Sequence, residues 1–206
     1  MARFNRQINS KRRISTKVVG GKVQRKDRID ETPNYWNTPQ TVPVIDRERP
    51  GPGYRHLLRK KDIEDFIEIL PDWDELSAGL DAIVLAEGEE GMYGWYDMGV
   101  VGICAWPRKI WVRESRDHYD DHKDLFERLG VEADFRGEWV LWKHTEATVK
   151  AFQLMRVFLH ELGHHHDRMT SRSQEFCGRG EDYAEHYAIR YEPLIMDRYF
   201  ERFGLV

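Results

Sequence analysis

The sequence predicts an α+β fold, in which a small mixed sheet lies over one long helix and a C-terminal helical part follows. Three observations predict it. Residues 145–169 contain no Pro and place apolar side chains at a helical period. Short runs rich in β-branched and aromatic residues, which are typical of strands, precede this helix. Beyond residue 180 the apolar residues again recur at helical spacing, which indicates the final helical part.

Composition indicates one folded domain with extensions. Of the 206 residues, 40% are hydrophobic and 12% are aromatic, which is ordinary for a globular chain. Cys104 and Cys177 are too few for a disulfide scaffold, and no apolar run approaches the roughly 20 residues of a membrane span. The first residues also lack the apolar core of a signal peptide. We therefore expect a cytoplasmic protein without a membrane partner.

Residues 1–30 are strongly basic. They hold ten Lys and Arg against Asp27 and Asp30, so their formal charge is +8, whereas the remainder of the chain carries −12. With few large apolar side chains, such a segment cannot bury enough surface to offset its ordering entropy, and we predict a flexible basic arm. A solvated terminus is the favoured interpretation. Contact with nucleic acid, or with the acidic body of the same protein, is the alternative.

Residues 31–56 are rich in Pro. They contain five Pro residues together with Gly51 and Gly53, a composition that excludes long helices and predicts an extended segment laid over the domain. Tyr35 and Trp36 are the candidates for attaching it. The alternative is that the segment occupies a groove of its own domain as a pro-segment. Residues 57–206 are then the folded domain.

Within this domain, residues 60–70 are predicted to form an amphipathic helix that ends before Pro71, because their apolar residues recur at i, i+3, i+4 and i+7. Pro193 is expected to interrupt the C-terminal helical pattern, so that a separate final helix follows it. An acidic, Gly-rich loop is predicted at residues 87–91. Four segments are predicted to be strands: 82–86, 98–106, 109–112 and 138–142.

An acidic cluster that contains histidine precedes a predicted short helix at residues 123–129, which Gly130 ends. It could hold a second metal ion, but acids at a helix N-terminus also favour the helix dipole, and this is the interpretation we prefer. The cluster consists of Asp117, His118, Asp120, Asp121 and His122.

The long helix carries the sequence His160-Glu161-Leu162-Gly163-His164, an H-E-x-x-H pattern. On a helix its two imidazoles share one face, and both can reach one ion at about 2.0–2.1 Å, the Zn–N distance, with Glu161 beside the open coordination position. The pattern therefore predicts metal-assisted hydrolysis. The alternative is a core helix with surface histidines, since His165 and His166 follow directly.

A second helix is predicted around residues 181–188. Five residues compete by proximity to be a third metal ligand: Glu175, Glu181, Asp182, Glu185 and His186. At about 100° per residue, Glu181 and Glu185 share a face with Ala184 and Ala188, whereas His186 lies roughly 140° and Asp182 about 100° from Glu181. The small alanines would let this helix approach the H-E-x-x-H helix closely. Helical geometry leaves both acids of the face open.

These two motifs resemble the gluzincin metallopeptidases, and in particular the family of the anthrax lethal factor catalytic domain. Its pattern H-E-[LF]-G-H-x-x-D is matched by residues 160–167, and its pattern E-x-x-A-E-x-[FY] by residues 181–187. The resemblance extends over roughly residues 95–200. It implies that residues 57–206 form a zincin-like metallopeptidase domain, which binds Zn²⁺ and hydrolyses peptide bonds in a protein or peptide substrate.

The resemblance also implies a role for each site residue. His160, His164 and Glu181 would ligate zinc, and Glu185 would accept a hydrogen bond from a ligand histidine in the outer shell. Glu161 would act as the general base and then pass the proton to the leaving amine.

The family is expected to carry a Tyr shortly before the ligand Glu as a transition-state stabiliser, and this sequence has no Tyr between Asp167 and Glu181. The difference favours the alternative of a catalytically silent zinc-binding regulatory protein of metallopeptidase ancestry. In gluzincin-like folds a sheet edge takes up the substrate backbone, and residues 96–105 are the candidate for that edge. An internal hairpin is the alternative there.

Overall fold

A computed structural model of the protein describes residues 18–19, 22–23, 33–172 and 177–204. The chain divides into two compact units, Met1–Pro33 and Asn34–Val206. In the first unit, Val18–Val19 (β1) pairs with Lys22–Val23 (β2) in an antiparallel ladder. Apart from these two short strands, the prediction of a flexible basic arm over residues 1–30 falls outside the described residues.

The second unit is a mixed α+β domain, as the sequence predicts. Its strands are β3 (Val44–Arg47), β4 (Tyr54–Arg55), β5 (Ala82–Ala86), β6 (Gly94–Asp97), β7 (Val100–Cys104), β8 (Trp106–Pro107), β9 (Val112–Ser115), β10 (Glu132–Arg136) and β11 (Trp139–Lys143). Its helices are α1 (Lys60–Ile69), α2 (Trp73–Leu76), α3 (Arg116–Arg128), α4 (Glu146–Phe152), α5 (Leu159–Thr170) and α6 (Gly180–Phe203). None of the helices in the described part of the chain is both long and apolar enough to cross a lipid bilayer.

The main sheet has four strands in the order β3-β5-β7-β6. The first three run parallel, and β6 is antiparallel to β7. Every residue of β5 and β7 is buried, as expected for central strands with both faces covered. The expectation that residues 96–105 form an edge is therefore wrong for β7, which lies inside the sheet. The edge is β6.

One face of the main sheet packs against the long helix. Ile83, Leu85, Val101 and Ile103 belong to the large core that this face shares with the helices. A π-helical segment, Gln153–Phe158, joins α4 to α5, so the single helix predicted over residues 145–169 is continuous but contains a wider turn. The helix begins where the sequence predicts, because the Thr145 side chain caps it by accepting a hydrogen bond from the Thr148 amide at 3.1 Å.

The opposite face of the main sheet is covered by the Pro-rich segment. The hydroxyl of Tyr35 donates to Asp46 at 2.9 Å, and the Trp36 ring stacks on Trp95 at 6.0 Å. Trp95 in turn lies on Gly102, where a Cβ atom would come within 2.1 Å of the indole. The segment does more than lie over the domain, because it contributes β3 to the main sheet. This strand forms the edge opposite β6.

A smaller sheet has the order β10-β11-β9, with both pairs antiparallel. Helix α3 follows β9 directly. Its cap is Ser115, whose hydroxyl accepts from the His118 amide at 3.2 Å. The helix thus begins seven residues before the predicted residue 123, and the acidic, His-containing cluster lies within its first turns, where Asp117 favours the dipole.

Helix α6 runs without interruption through Pro193, so the expected separate final helix is wrong. Proline removes one amide donor from a helix and crowds the preceding turn. Here one face of the helix is buried both before and after the proline, with Glu192 before it and Ile195 and Tyr199 after it. Packing of this face against the core outweighs the local effect of the proline.

Candidate metal centre

Three predicted ligands converge between α5 and α6. His160 and His164 lie on one face of α5, and Glu181 lies in the first turn of α6. One carboxylate oxygen of Glu181 is 3.1 Å from Nε2 of His160 and 3.4 Å from Nε2 of His164. The three potential ligand atoms all lie within 4.8 Å of one another, and across the described ranges no other group of His, Cys, Asp and Glu converges in this way.

The two helices approach closely because their contact consists of small residues. A Cβ atom at Gly163 would lie 2.8 Å from Cα and 3.0 Å from the carbonyl oxygen of Ala184. Ala184 and Ala188 are both fully buried. The small-residue face that the sequence predicts for the second helix is therefore the face that contacts α5.

The start of α6 is attached to the end of α5 by Asp167. This carboxylate is fully buried and accepts hydrogen bonds from the amides of Arg179 at 2.7 Å and Gly180 at 3.1 Å. It also accepts from Nε of Arg179 at 2.8 Å. Burial raises the pKa of Asp167, but these bonds outweigh it and the pKa is lowered. Asp167 thereby fixes the turn that presents Glu181.

Glu185 contacts the ring nitrogen of His160 that faces away from Glu181. Its Oε2 lies 3.2 Å from Nδ1 of His160, and its Oε1 pairs with Arg156. Burial raises the pKa of Glu185, but His160 and Arg156 lower it to about 2, so the group is a carboxylate. An acceptor at Nδ1 leaves the Nε2 lone pair directed toward Glu181 and His164.

Glu161 is buried beside the convergent ligands, with only 7% of its surface exposed. The edge strand β6 passes directly over it. A Cβ atom at Gly94 would lie 2.7 Å from the Glu161 carboxylate and 2.6 Å from Val157. Burial raises the pKa of Glu161 to about 8, and the neighbouring His160 opposes this rise. The carboxyl group therefore lies in a largely dry position between the helix and the sheet edge.

The two histidines that follow the motif have structural partners. His165 is 2% exposed, and its ring nitrogens lie 3.0 Å from the Ala78 carbonyl and 3.2 Å from the Tyr96 hydroxyl. Nδ1 of His166 lies 2.7 Å from the Tyr183 hydroxyl. Both contacts attach α5 to its neighbours, and neither ring belongs to the convergent group.

The remaining competitors for the third ligand lie elsewhere. Asp182 and His186 are exposed, and Nδ1 of His186 lies 2.5 Å from the Asp182 carbonyl within α6. Glu175 falls outside the described residues. Cys177 is half-buried and donates its thiol hydrogen to the His164 carbonyl at 3.2 Å. Burial raises the pKa of this thiol to about 11.

In the acidic, His-containing cluster of α3, the histidines lie on a different face of the helix from the aspartates. His118 stacks on Tyr93 at 5.7 Å, and His122 packs on Phe152 at 5.4 Å. The three aspartates of the cluster are exposed. In the part of the chain that the structure describes, these side chains form no second convergent group.

Several residues that shape the site escape prediction from sequence. Gly94 comes from a strand 66 residues before His160, and no local pattern relates the two. Asp167 is the last residue of the matched pattern, but its capping role depends on where Arg179 returns.

The chain was compared with protein-family models, with curated proteins and with solved structures, and none of them matches. The resemblance to gluzincins therefore consists of the motif residues alone.

Proposed function

We propose that the protein is a zinc-dependent metalloendopeptidase of the gluzincin type, with a zincin-like domain. The observation that supports it is the convergence of His160, His164 and Glu181 beside the buried Glu161. Two imidazole nitrogens and one carboxylate oxygen are a ligand set of catalytic zinc sites, which keep the fourth position open. The residues present therefore fit a zinc ion.

Each residue has a distinct task in this proposal. His160, His164 and Glu181 would hold the zinc ion, which supplies Lewis-acid chemistry by polarising a carbonyl group and lowering the pKa of water from about 15.7 toward 7. A zinc cation beside Glu161 would favour its carboxylate form, and this carboxylate accepts the proton of the attacking water and delivers it to the nitrogen of the leaving amine. Its burial excludes bulk water from this transfer. Glu185 holds the tautomer of His160 through Nδ1.

The position of β6 at the sheet edge supports the proposal that the substrate is a protein or peptide. Strand β6 is an end strand of the main sheet, and an extended peptide could pair with its side away from β7. An extended peptide on that edge would pass over Glu161, because Gly94 of β6 lies against its carboxylate. This placement favours cleavage within a chain.

The test separates metal binding from chemistry. The Glu161→Gln variant keeps the shape of the side chain but cannot transfer a proton, so we expect full zinc content and no hydrolysis of a peptide library. His186→Ala, an exposed neighbour of the site, is the matched control and should retain both. Turnover by Glu161→Gln at the wild-type rate would contradict the proposal.

A second candidate is a catalytically silent zinc-binding regulatory protein. It is favoured by the absence of a Tyr between Asp167 and Glu181. The hydroxyls of Tyr96 and Tyr183 already contact His165 and His166. A zinc-loaded wild-type protein that cleaves no member of a diverse peptide library would support this candidate. The alternative of nucleic-acid contact rests on residues 1–30, of which the structure describes only β1 and β2.

A further inference from the structure

Behind the candidate metal centre lies a chain of buried charges centred on Arg156. This residue belongs to the π-helical segment between α4 and α5 and is 4% exposed. Its carboxylate partner Glu192, on α6, is 1% exposed. The candidate metal ligands lie on the other side of Glu185, so they do not account for either buried charge.

The guanidinium of Arg156 joins two carboxylates of α6. It pairs with Oε1 of Glu185, and its Nη2 lies 2.5 Å from Oε1 of Glu192. Glu185 and Glu192 are seven residues apart, so they share one face of the helix. The other oxygen of Glu192 accepts from Arg128 of α3 at 2.9 Å. Three helices thus meet at one ionic chain.

The contact between Arg156 and Glu185 has a direct consequence for the site. Glu185 is a bridging carboxylate, with Oε1 on Arg156 and Oε2 on Nδ1 of His160. Fixing one oxygen fixes the rotation of the carboxylate and therefore the position of the other. Arg156 is well suited to this because its planar guanidinium can bind two carboxylates at once.

Stability alone is a poor explanation for this chain. Desolvation of two charges can exceed their attraction, and apolar replacement of a buried ion pair is often neutral or stabilising. The helix also departs from regular α-geometry where it delivers Arg156, and π-helical turns frequently occur at functional sites. Both facts indicate a role in the site.

We propose that Arg156 is a positioning residue for the metal site, which orients His160 by holding Glu185. The inference rests on the proposed zinc site. The ion pairs of Arg156 are with Glu185 and Glu192 and not with the three candidate ligands, so it acts through the Glu185 carboxylate.

The test uses zinc affinity of the full chain, measured by competition with a chromophoric chelator, together with thermal unfolding of the metal-free protein. Arg156→Lys keeps the charge but lacks the fixed planar geometry by which the guanidinium holds the two carboxylates. The double variant Arg156→Met with Glu192→Met removes the most deeply buried pair as a unit and leaves Glu185, whose side chain is 33% exposed, paired with His160. Arg128→Gln is the matched control, because it removes only the outer pair.

We expect zinc to bind about 10–100-fold more weakly in the double variant, as for losses of outer-shell partners, with an intermediate loss in Arg156→Lys. Arg128→Gln should bind like wild type. The visible spectrum of bound Co²⁺ should change in the first two variants only, because it reports the ligand geometry. If the double variant does not fold, Arg156→Lys alone decides.

A double-mutant cycle tests the route of action. In a Glu185→Ala background, Arg156→Lys should cause no further loss of zinc affinity, since the bridge is already gone. Equal zinc affinity in wild type and in all Arg156 variants would overturn the inference while leaving the zinc site intact. Additive losses would overturn the route through Glu185. A wild-type protein that binds no zinc would overturn the inference and the proposed function together.

Discussion

Gly163 is the residue at which α5 and α6 meet, and it has no room for a side chain. A Cβ atom there would press on the backbone of Ala184. We expect Gly163→Ala to displace α6, to lower the free energy of unfolding by about 1–3 kcal/mol as overpacking does, and to weaken zinc binding. Denaturant unfolding and zinc titration measure the two effects. Gly178→Ala is the control, because a Cβ atom at Gly178 meets nothing within 4 Å.

The identity of the third ligand gives a graded prediction. Glu181→Ala should nearly abolish zinc binding, Glu185→Ala should weaken it by about 10–100-fold, and His186→Ala should leave it unchanged. The reason is that the oxygen of Glu181 faces both Nε2 atoms, whereas Glu185 contacts Nδ1 and His186 faces its own helix. Zinc titration of the three variants measures the order. A His186→Ala protein that binds no metal would indicate a three-histidine site.

At the residue scale, the sequence predicts which potential ligands converge, but it does not predict the contacts that support them. Helical spacing places His160 beside His164, and Glu181 on the small-residue face of the next helix. The supporting contacts of Gly94, Arg156 and Asp167 depend on where distant segments return, and no local period encodes that.

At the scale of elements, burial of one histidine just before α4 makes the stability of the fold depend on pH. His144 is 3% exposed and is surrounded by the rings of Trp106, Phe126 and Trp142. Burial lowers its pKa to about 4. The unfolded chain therefore binds this proton near pH 6.5 and the folded chain does not, so stability is lost as pH falls from about 6.5 toward 4.

Between pH 7 and pH 4.5, we expect the free energy of unfolding of His144→Phe to fall by about 1–3 kcal/mol less than that of wild type. Urea unfolding at the two pH values measures the difference. His186→Phe, at an exposed position, should follow the wild-type dependence. Parallel curves for wild type and His144→Phe would show that this ring does not exclude the proton.

The elements that the sequence predicts well are those with a strong local pattern. Helix α1 and strand β5 lie where the sequence predicts them. The surrounding prolines hide the strand pattern of β3 in the sequence, and mixed composition hides that of β6. Both strands are therefore defined by their pairing partners rather than by their own residues. Helix α6 crosses Pro193 for the same reason, since buried packing on both sides decides its course.

At the scale of the whole molecule, every candidate site residue lies in the unit Asn34–Val206. Deletion of residues 1–30 should therefore leave zinc content and any peptide hydrolysis unchanged, which elemental analysis and activity assays measure. Deletion of residues 1–47 should instead prevent folding, because it removes β3 and uncovers the sheet face beneath Tyr35 and Trp36. A large loss of zinc affinity in the shorter deletion would show that residues 1–30 contribute to the site.

The place of β3 in the sheet determines how the protein would respond to a cut in its backbone. A nick between β3 and β4 leaves the N-terminal fragment bound to β5 along a parallel ladder and attached by the stacking of Trp36 on Trp95. Such a fragment cannot diffuse away as a cleaved leader does. The nicked chain would elute as one species from a sizing column and resolve into two bands only after denaturation.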